Sequence, residues 1–214
     1  MTQTTSLTEA DWEGLALELL AEPLGWRPMT GDQIGPGSGE RASWGDLLIR
    51  PRLLEALHRL NSDVPAEYLQ QALAEITSPK SNDALTENHR IHGFLVDGFR
   101  MTYIDSDGSE VNATIRLISA EPSENDWLAV NQVTLQTSER KRRFDVVLYC
   151  NGLPVSIIEL KRAGSEAATV TGAHAQLQTY LRESPMAFRF CVVTPGTGIL
   201  SEQVWHPQSI GTGG

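Results

Sequence analysis

The strongest constraint on the fold is a change of hydrophobic period at Gly98. Downstream of it come six short runs rich in β-branched and aromatic residues: FRMTYI, ATIRLI, WLAVNQVTL, FDVVLY, VSIIEL and FRFCVV. Such runs read as strands. Asp107-Gly108 and Asn151-Gly152 are hairpin signals between them. Upstream, apolar residues recur at helical spacing. A first helix is predicted from about Thr8 to Leu20, with Trp12, Leu15, Ala16, Leu19 and Leu20 as one apolar stripe, Thr8 and Asp11 as its cap pair, and Gly25 past its end. Arg52 to Leu60, Ala66 to Ile76 (with Pro65 at its start) and Glu87 to Val96 also read as helices. Gly31 to Gly39 reads as a glycine-rich surface loop, and Glu166 to Glu183 as a helix between the last two strand runs. Helices, then strands, then helix, then strand imply an α/β fold with a mixed central sheet flanked by helices.

Charge and cysteine usage narrow the chemistry. The net charge of −10 argues against a stand-alone DNA binder, because duplex affinity comes mainly from phosphate neutralisation by Lys and Arg. Any nucleic-acid site must be a local basic patch. The densest is Arg140-Lys141-Arg142-Arg143, which by composition reads as a solvated turn but stands immediately before Asp145. Cys150 and Cys191 lie inside apolar runs and read as buried free thiols of a reducing compartment. The N-terminus has no basic and apolar leader pattern, and no run of about 18 apolar residues could span a bilayer. A cytoplasmic protein without membrane contact is expected.

Asp145 is expected to begin one apolar strand, and Glu159 and Lys161 to end the next, VSIIELK. Residues i and i+2 of a strand share a face. Taken alone, Glu159 and Lys161 would make an ordinary salt bridge at a strand end. An Asp on the preceding strand changes that reading. Two converging carboxylates need a cation, or one must take a proton. Mg²⁺ suits one or two carboxylates plus water and phosphate oxygens, and a nearby ammonium can orient the attacking water. Gln176 and Tyr180 lie four apart on one face of the following helix, and Glu13 lies beside the apolar stripe of the first. Other chemistries find no support. The chain has no Gly-Lys dipeptide, hence no P-loop. His89 and His92 have no cysteine or third histidine nearby, and two cysteines cannot supply a four-cysteine iron–sulfur cluster.

The stretch RFDVVLYCNGLPVSIIELK, with Gln176 to Tyr180 as a Q-x-x-x-Y motif, resembles the PD-(D/E)XK nuclease superfamily. More narrowly it resembles the N-terminal domain of the R (motor and endonuclease) subunit of type I restriction enzymes. Gly25-Trp26 and Val130-Asn131-Gln132 match too, whereas Phe144 stands where that family has proline. The resemblance implies a restriction-endonuclease-like α-β-β-β-α-β core with extra N-terminal helices. The nuclease domain would span residues 1–205 with a helical insertion at about 31–97, and 206–214 would be a linker or terminus. It implies Mg²⁺-dependent cleavage of double-stranded DNA, with Asp145, Glu159 and the carbonyl of Leu160 as metal ligands. Lys161 would serve the water or the scissile phosphate, Gln176 and Tyr180 would steady the site and touch the DNA backbone, and Glu13 would be a further acidic member. Contacts to DNA would be non-specific, because sequence is read by a specificity subunit that joins a methyltransferase subunit in the complex. ATP would act only through a motor domain that these residues do not encode, so the chain is expected to be a fragment or a stand-alone module. The alternatives are another nuclease of the superfamily acting in repair or end processing, and a non-catalytic scaffold.

The hairpin carries a geometric condition. A regular two-residue Asn151-Gly152 turn would set Asp145 opposite Ile158, leaving Asp145 and Glu159 on opposite sides of the sheet. A one-residue shift sets them face to face. That shift needs an odd-length loop such as Asn151-Gly152-Leu153, or a bulge in one strand, and Pro154 suits such a point. The expectation is a connection other than a two-residue turn, with both carboxylates on one face.

Overall fold

The computed structural model describes residues 8–22, 24–136, 141–161, 175, 190–195 and 200–202. Its helices are α1 (Glu9–Ala21), α2 (Arg50–Leu60), α3 (Ala66–Thr77) and α4 (Ala84–Asp97). Its strands are β1 (Arg27–Thr30), β2 (Phe99–Ile104), β3 (Glu110–Ile115), β4 (Trp127–Gln136), β5 (Lys141–Cys150), β6 (Leu153–Lys161), β7 (Phe190–Pro195) and β8 (Leu200–Glu202). The main sheet has the order β1-β4-β5-β6-β7-β8, and β2 and β3 form a separate hairpin. The β1–β4 and β6–β7 pairs are parallel and the others antiparallel, so the sheet is mixed, as the run pattern implied. The helix expected over Glu166 to Glu183 falls outside the described residues.

Strand alternation gives the main sheet two apolar faces. Leu128, Val130, Val147, Tyr149 and Ile157 pack under Ile34, Leu47 and Ile49. Ala129, Val146, Leu148, Ile158 and Leu160 pack under Trp12, Ala16, Leu17 and Leu20 of α1. A third cluster joins α2 and α3 to the β2–β3 hairpin through Leu53, Leu57, Leu69, Ile76, Tyr103 and Ile115. Each fully buried aliphatic side chain in these clusters contributes about 1.5–3 kcal/mol.

Four local expectations are corrected. The α1 stripe is rotated: Leu15 and Leu19 stay exposed, and Leu17 packs on the sheet instead. Glu13, Ala16, Leu17 and Leu20 then share one face at helical spacing, which points a carboxylate at the sheet. The Gly31 to Gly39 stretch is not simply a surface loop, because Ile34 is fully buried in the first core and its carbonyl accepts from Arg41 Nε at 2.8 Å. Lys141 to Arg143 form no turn. They pair with Gln136, Leu135 and Thr134, so β5 begins four residues before Asp145, which sits inside the strand. Finally, β1 and β8 were not anticipated. Arg27–Thr30 is short, contains Pro28 and shows no alternation, yet a proline is tolerated on the edge strand that β1 forms.

Candidate active site

The β5–β6 hairpin shifts register through a bulge, the second of the two routes the sequence allowed. Its turn is a two-residue one, pairing Cys150 with Leu153, and both Asn151 and Gly152 have positive φ (51° and 78°), the type I′ pattern. The expectation of a different connection is therefore wrong. The register shifts instead inside the strand: Tyr149 pairs with Pro154 but Leu148 pairs with Ser156, so Val155 is a bulge. Pro154, lacking an N–H for the ladder, lies next to the extra residue. Beyond the bulge Val146 pairs with Ile158. Carried one position further, that register sets Asp145 across from Glu159, and directly opposed residues share a face. The regular ladder ends at Val146–Ile158, and there the Leu160 N–H donates to Asp145 Oδ2 at 2.7 Å. Glu159 is only 2% exposed, so a carboxylate is held inside the sheet.

The turn end of the hairpin is pinned. Asn151 is fully buried, its Nδ2 donating to the Leu117 carbonyl at 2.9 Å and its Oδ1 accepting from the Asp126 N–H at 2.8 Å. The Gly152 carbonyl accepts from Ile49 N at 3.0 Å. A Cβ at Gly152 would lie 2.3 Å from the Ile49 carbonyl oxygen, so only glycine lets the turn dock on the start of α2.

On the other side of β5 the neighbouring strand is also irregular. Asn131 pairs with Val146 and Val133 with Phe144, which sets Gln132 across from Asp145. Gln132 has φ 55°, a conformation that non-glycine residues avoid. Its side-chain amide donates to Glu13 Oε1, and Asn131 Nδ2 donates to Glu13 Oε2 at 3.3 Å. Gly31 makes room for the kink, because a Cβ there would lie 2.2 Å from the Gln132 carbonyl oxygen. Glu13 is 6% exposed, and among the described residues it has amide donors but no ion-pair partner. Val130-Asn131-Gln132 was noted in the sequence as part of the family resemblance, but no site role was assigned to Asn131 or Gln132 there.

Of the remaining expected site residues, Lys161 is the last residue of β6, two beyond Glu159. Gln176 and Tyr180 lie outside the described residues. Among the described residues no three His, Cys, Asp or Glu side chains converge as a ready cage for a metal. The donor set is nevertheless the kind that a hard divalent cation takes: carboxylate oxygens on adjacent strands, one of them almost wholly buried, with a backbone carbonyl between Glu159 and Lys161. The donor types present are therefore compatible with such a cation.

Fold and site together define an α/β protein whose mixed sheet presents acidic residues on two neighbouring strands, with a third on the helix packed across it. The chain belongs to the family described as type I restriction enzyme R protein N terminus, whose family model matches residues 6–205. It is 30% identical over 182 residues to the type I restriction enzyme HindI endonuclease subunit of Haemophilus influenzae, a match covering 83% of this chain and 17% of the relative. It is 23% identical over 201 residues to the putative type I restriction enzyme MjaIXP endonuclease subunit of Methanocaldococcus jannaschii, covering 92% of this chain and 19% of that one. The chain thus spans less than a fifth of the length of these curated relatives. Among the described residues no helix is long and apolar enough to cross a membrane.

Proposed function

We propose that this chain is the DNA-cleaving domain of a type I restriction R subunit, with a PD-(D/E)XK core that hydrolyses phosphodiesters of double-stranded DNA and requires Mg²⁺. The observation that carries the reading is the Val155 bulge, because beyond it Val146 pairs with Ile158, a register that, carried one position further, would put Asp145 opposite Glu159. Asp145, Glu159 and the Leu160 carbonyl would hold the ion. When bound, Mg²⁺ supplies charge against the phosphate and lowers the pKa of an attacking water. The chain does the rest. The Leu160 N–H donates to Asp145 Oδ2 and so helps fix the orientation of that carboxylate. Asn131 and Gln132 orient Glu13 toward the same end of the sheet. Lys161, on the same strand as Glu159, offers an ammonium to the water or to the phosphate oxygens. Gln176 and Tyr180 would contact the DNA backbone. Methyltransferase and specificity subunits would supply sequence recognition and a second source of DNA affinity. The test is plasmid DNA with Mg²⁺, alone and with those subunits, against EDTA. Nicking that needs both the metal and Asp145 supports the reading. Failure to cleave in the assembled complex overturns it.

A further inference from the structure

The start of β5 lines a groove with Asp32, Gln132, Thr134, Lys141, Arg142 and Arg143. Three cations face one carboxylate there, on a chain whose overall charge is −10. Elsewhere the described cations are largely committed. Arg27 and Arg52 pair with Asp126, Arg52 also with Glu40, Arg90 with Glu87, and Lys80 with Glu75. Arg41 is buried among backbone carbonyls. Lys141 and Arg143 are exposed and form no ion pair among the described residues. The groove also has a direction. Gln132, at one end, is bonded to Glu13 and stands opposite Asp145. Arg143 lies two positions before Asp145, about 7 Å at the usual strand rise.

We propose that this groove binds the sugar–phosphate backbone of a DNA strand and leads one phosphate to Asp145 and Glu159. The inference rests on the nuclease reading and names the surface by which that site takes its substrate. The same strand that carries the candidate metal ligand would carry the phosphate contacts, so substrate register and metal position are fixed by one rigid element. Cations on flexible stems hold phosphates without reading bases.

The test uses the full chain, random-sequence duplexes and Ca²⁺ in place of Mg²⁺, with binding followed as a function of salt. Each phosphate contact contributes about 0.9 to the slope of log K against log salt. A Lys141→Ala/Arg143→Ala variant should therefore show a slope shallower by about 1.8 and an equal loss on every sequence. Lys141→Arg/Arg143→Lys should keep the wild-type slope, which separates charge from folding. Asp32→Asn should tighten binding. A double-alanine variant with wild-type slope and affinity overturns the groove. If that variant binds normally while Asp145→Ala abolishes cleavage, the groove is wrong and the nuclease reading stands. If the wild-type chain binds no duplex at the lowest salt the groove fails, and if the assembled complex also fails to cleave with Mg²⁺ the nuclease reading fails with it.

Discussion

Two hairpins in this molecule are built from similar residues and behave differently. In β2–β3 six consecutive pairs, from Phe99–Ile115 to Ile104–Glu110, run without a shift. In β5–β6 the register jumps at Val155, and the adjoining β4 kinks at Gln132. The buried carboxylates divide along the same line. Glu87, on the helix beside β2–β3, is 5% exposed and is held by Arg90 and by the N–H groups of Lys80 and Ser81. Glu13, against the irregular strands, is just as buried but is held by neutral amides. The difference teaches a rule for reading this sheet. In the regular region a buried carboxylate comes with its own cation, while backbone irregularity gathers where Glu13 is held by side-chain amides.

The sharpest way to break the comparison is to remove charges on each side. Asp145→Ala, Glu159→Ala and Lys161→Ala should each reduce cleavage by far more than about 10²-fold, the lower range for one electrostatic group. Circular dichroism should show all three folded. Glu87→Gln, equally buried in the regular region, should leave cleavage unchanged. Near-normal plasmid cleavage by any of the first three would exclude that residue from the site.

The two turn glycines give the next contrast. Gly152 has φ 78° and no space for a Cβ, with the Ile49 oxygen at 2.3 Å and Leu53 N at 3.0 Å. Gly108 has φ 86° but open space around it. The left-handed conformation alone costs an alanine about 1–2 kcal/mol. Gly108→Ala should therefore lose about 1 kcal/mol. Gly152→Ala should lose about 3 kcal/mol, because backbone must also move. Urea unfolding midpoints measure both, and equal losses would remove the claim that the β5–β6 turn is docked rather than merely tight.

The fold was readable where period and turn chemistry agreed. FRMTYI coincides with β2, and the Thr8–Asp11 cap forms as written, the Thr8 N–H donating to Asp11 Oδ2 at 2.7 Å. The register of the carboxylates was readable only as a condition. Numbering alone says that Asp145 and Glu159 need a shift, but a bulge and an odd loop satisfy it equally, and Asn-Gly in fact takes the two-residue turn its φ preferences favour. Glu13 was named, but not its orientation. Leu15 and Leu19 are as apolar as Leu17 and Leu20, so the stripe could not say which side meets the sheet. The kink at Gln132 had no local signal, since the space for it depends on Gly31, about 100 residues earlier in the chain.

That kink can be tested for a positioning role. Gln132→Ala removes a donor to Glu13, and with it the reason for Glu13 to keep its orientation. Partners of this kind typically matter by about 10–100-fold in metal affinity or activity. The expected result is a roughly 10-fold rise in the Mg²⁺ concentration needed for half-maximal cleavage, with a urea midpoint close to wild type. A purely structural role would do the reverse, lowering the midpoint and leaving the Mg²⁺ dependence alone.

The smallest expected effect lies in the regular region and is a matter of pH. Burial pushes the Glu87 carboxyl up, but the Arg90 guanidinium and the N–H groups of Lys80 and Ser81 outweigh it, so the group stays below its ordinary value of 4.5. A depressed carboxyl stabilises the fold fully above the unfolded value and loses that contribution as pH falls through the folded one. Wild type should therefore exceed Glu87→Gln in stability near neutral pH, and the gap should narrow below about pH 4.5 as the wild-type carboxyl takes up its proton. The gap is small because glutamine keeps one acceptor oxygen for the Lys80 and Ser81 N–H groups, and Arg90, losing its bonds to the second carboxylate oxygen, still reaches the Ile76 and Ser78 carbonyls. Urea titrations at several pH values measure it. A gap that stays constant into acid would mean that Glu87 acts through hydrogen-bond shape, and the cation beside it would no longer be what distinguishes it from Glu13.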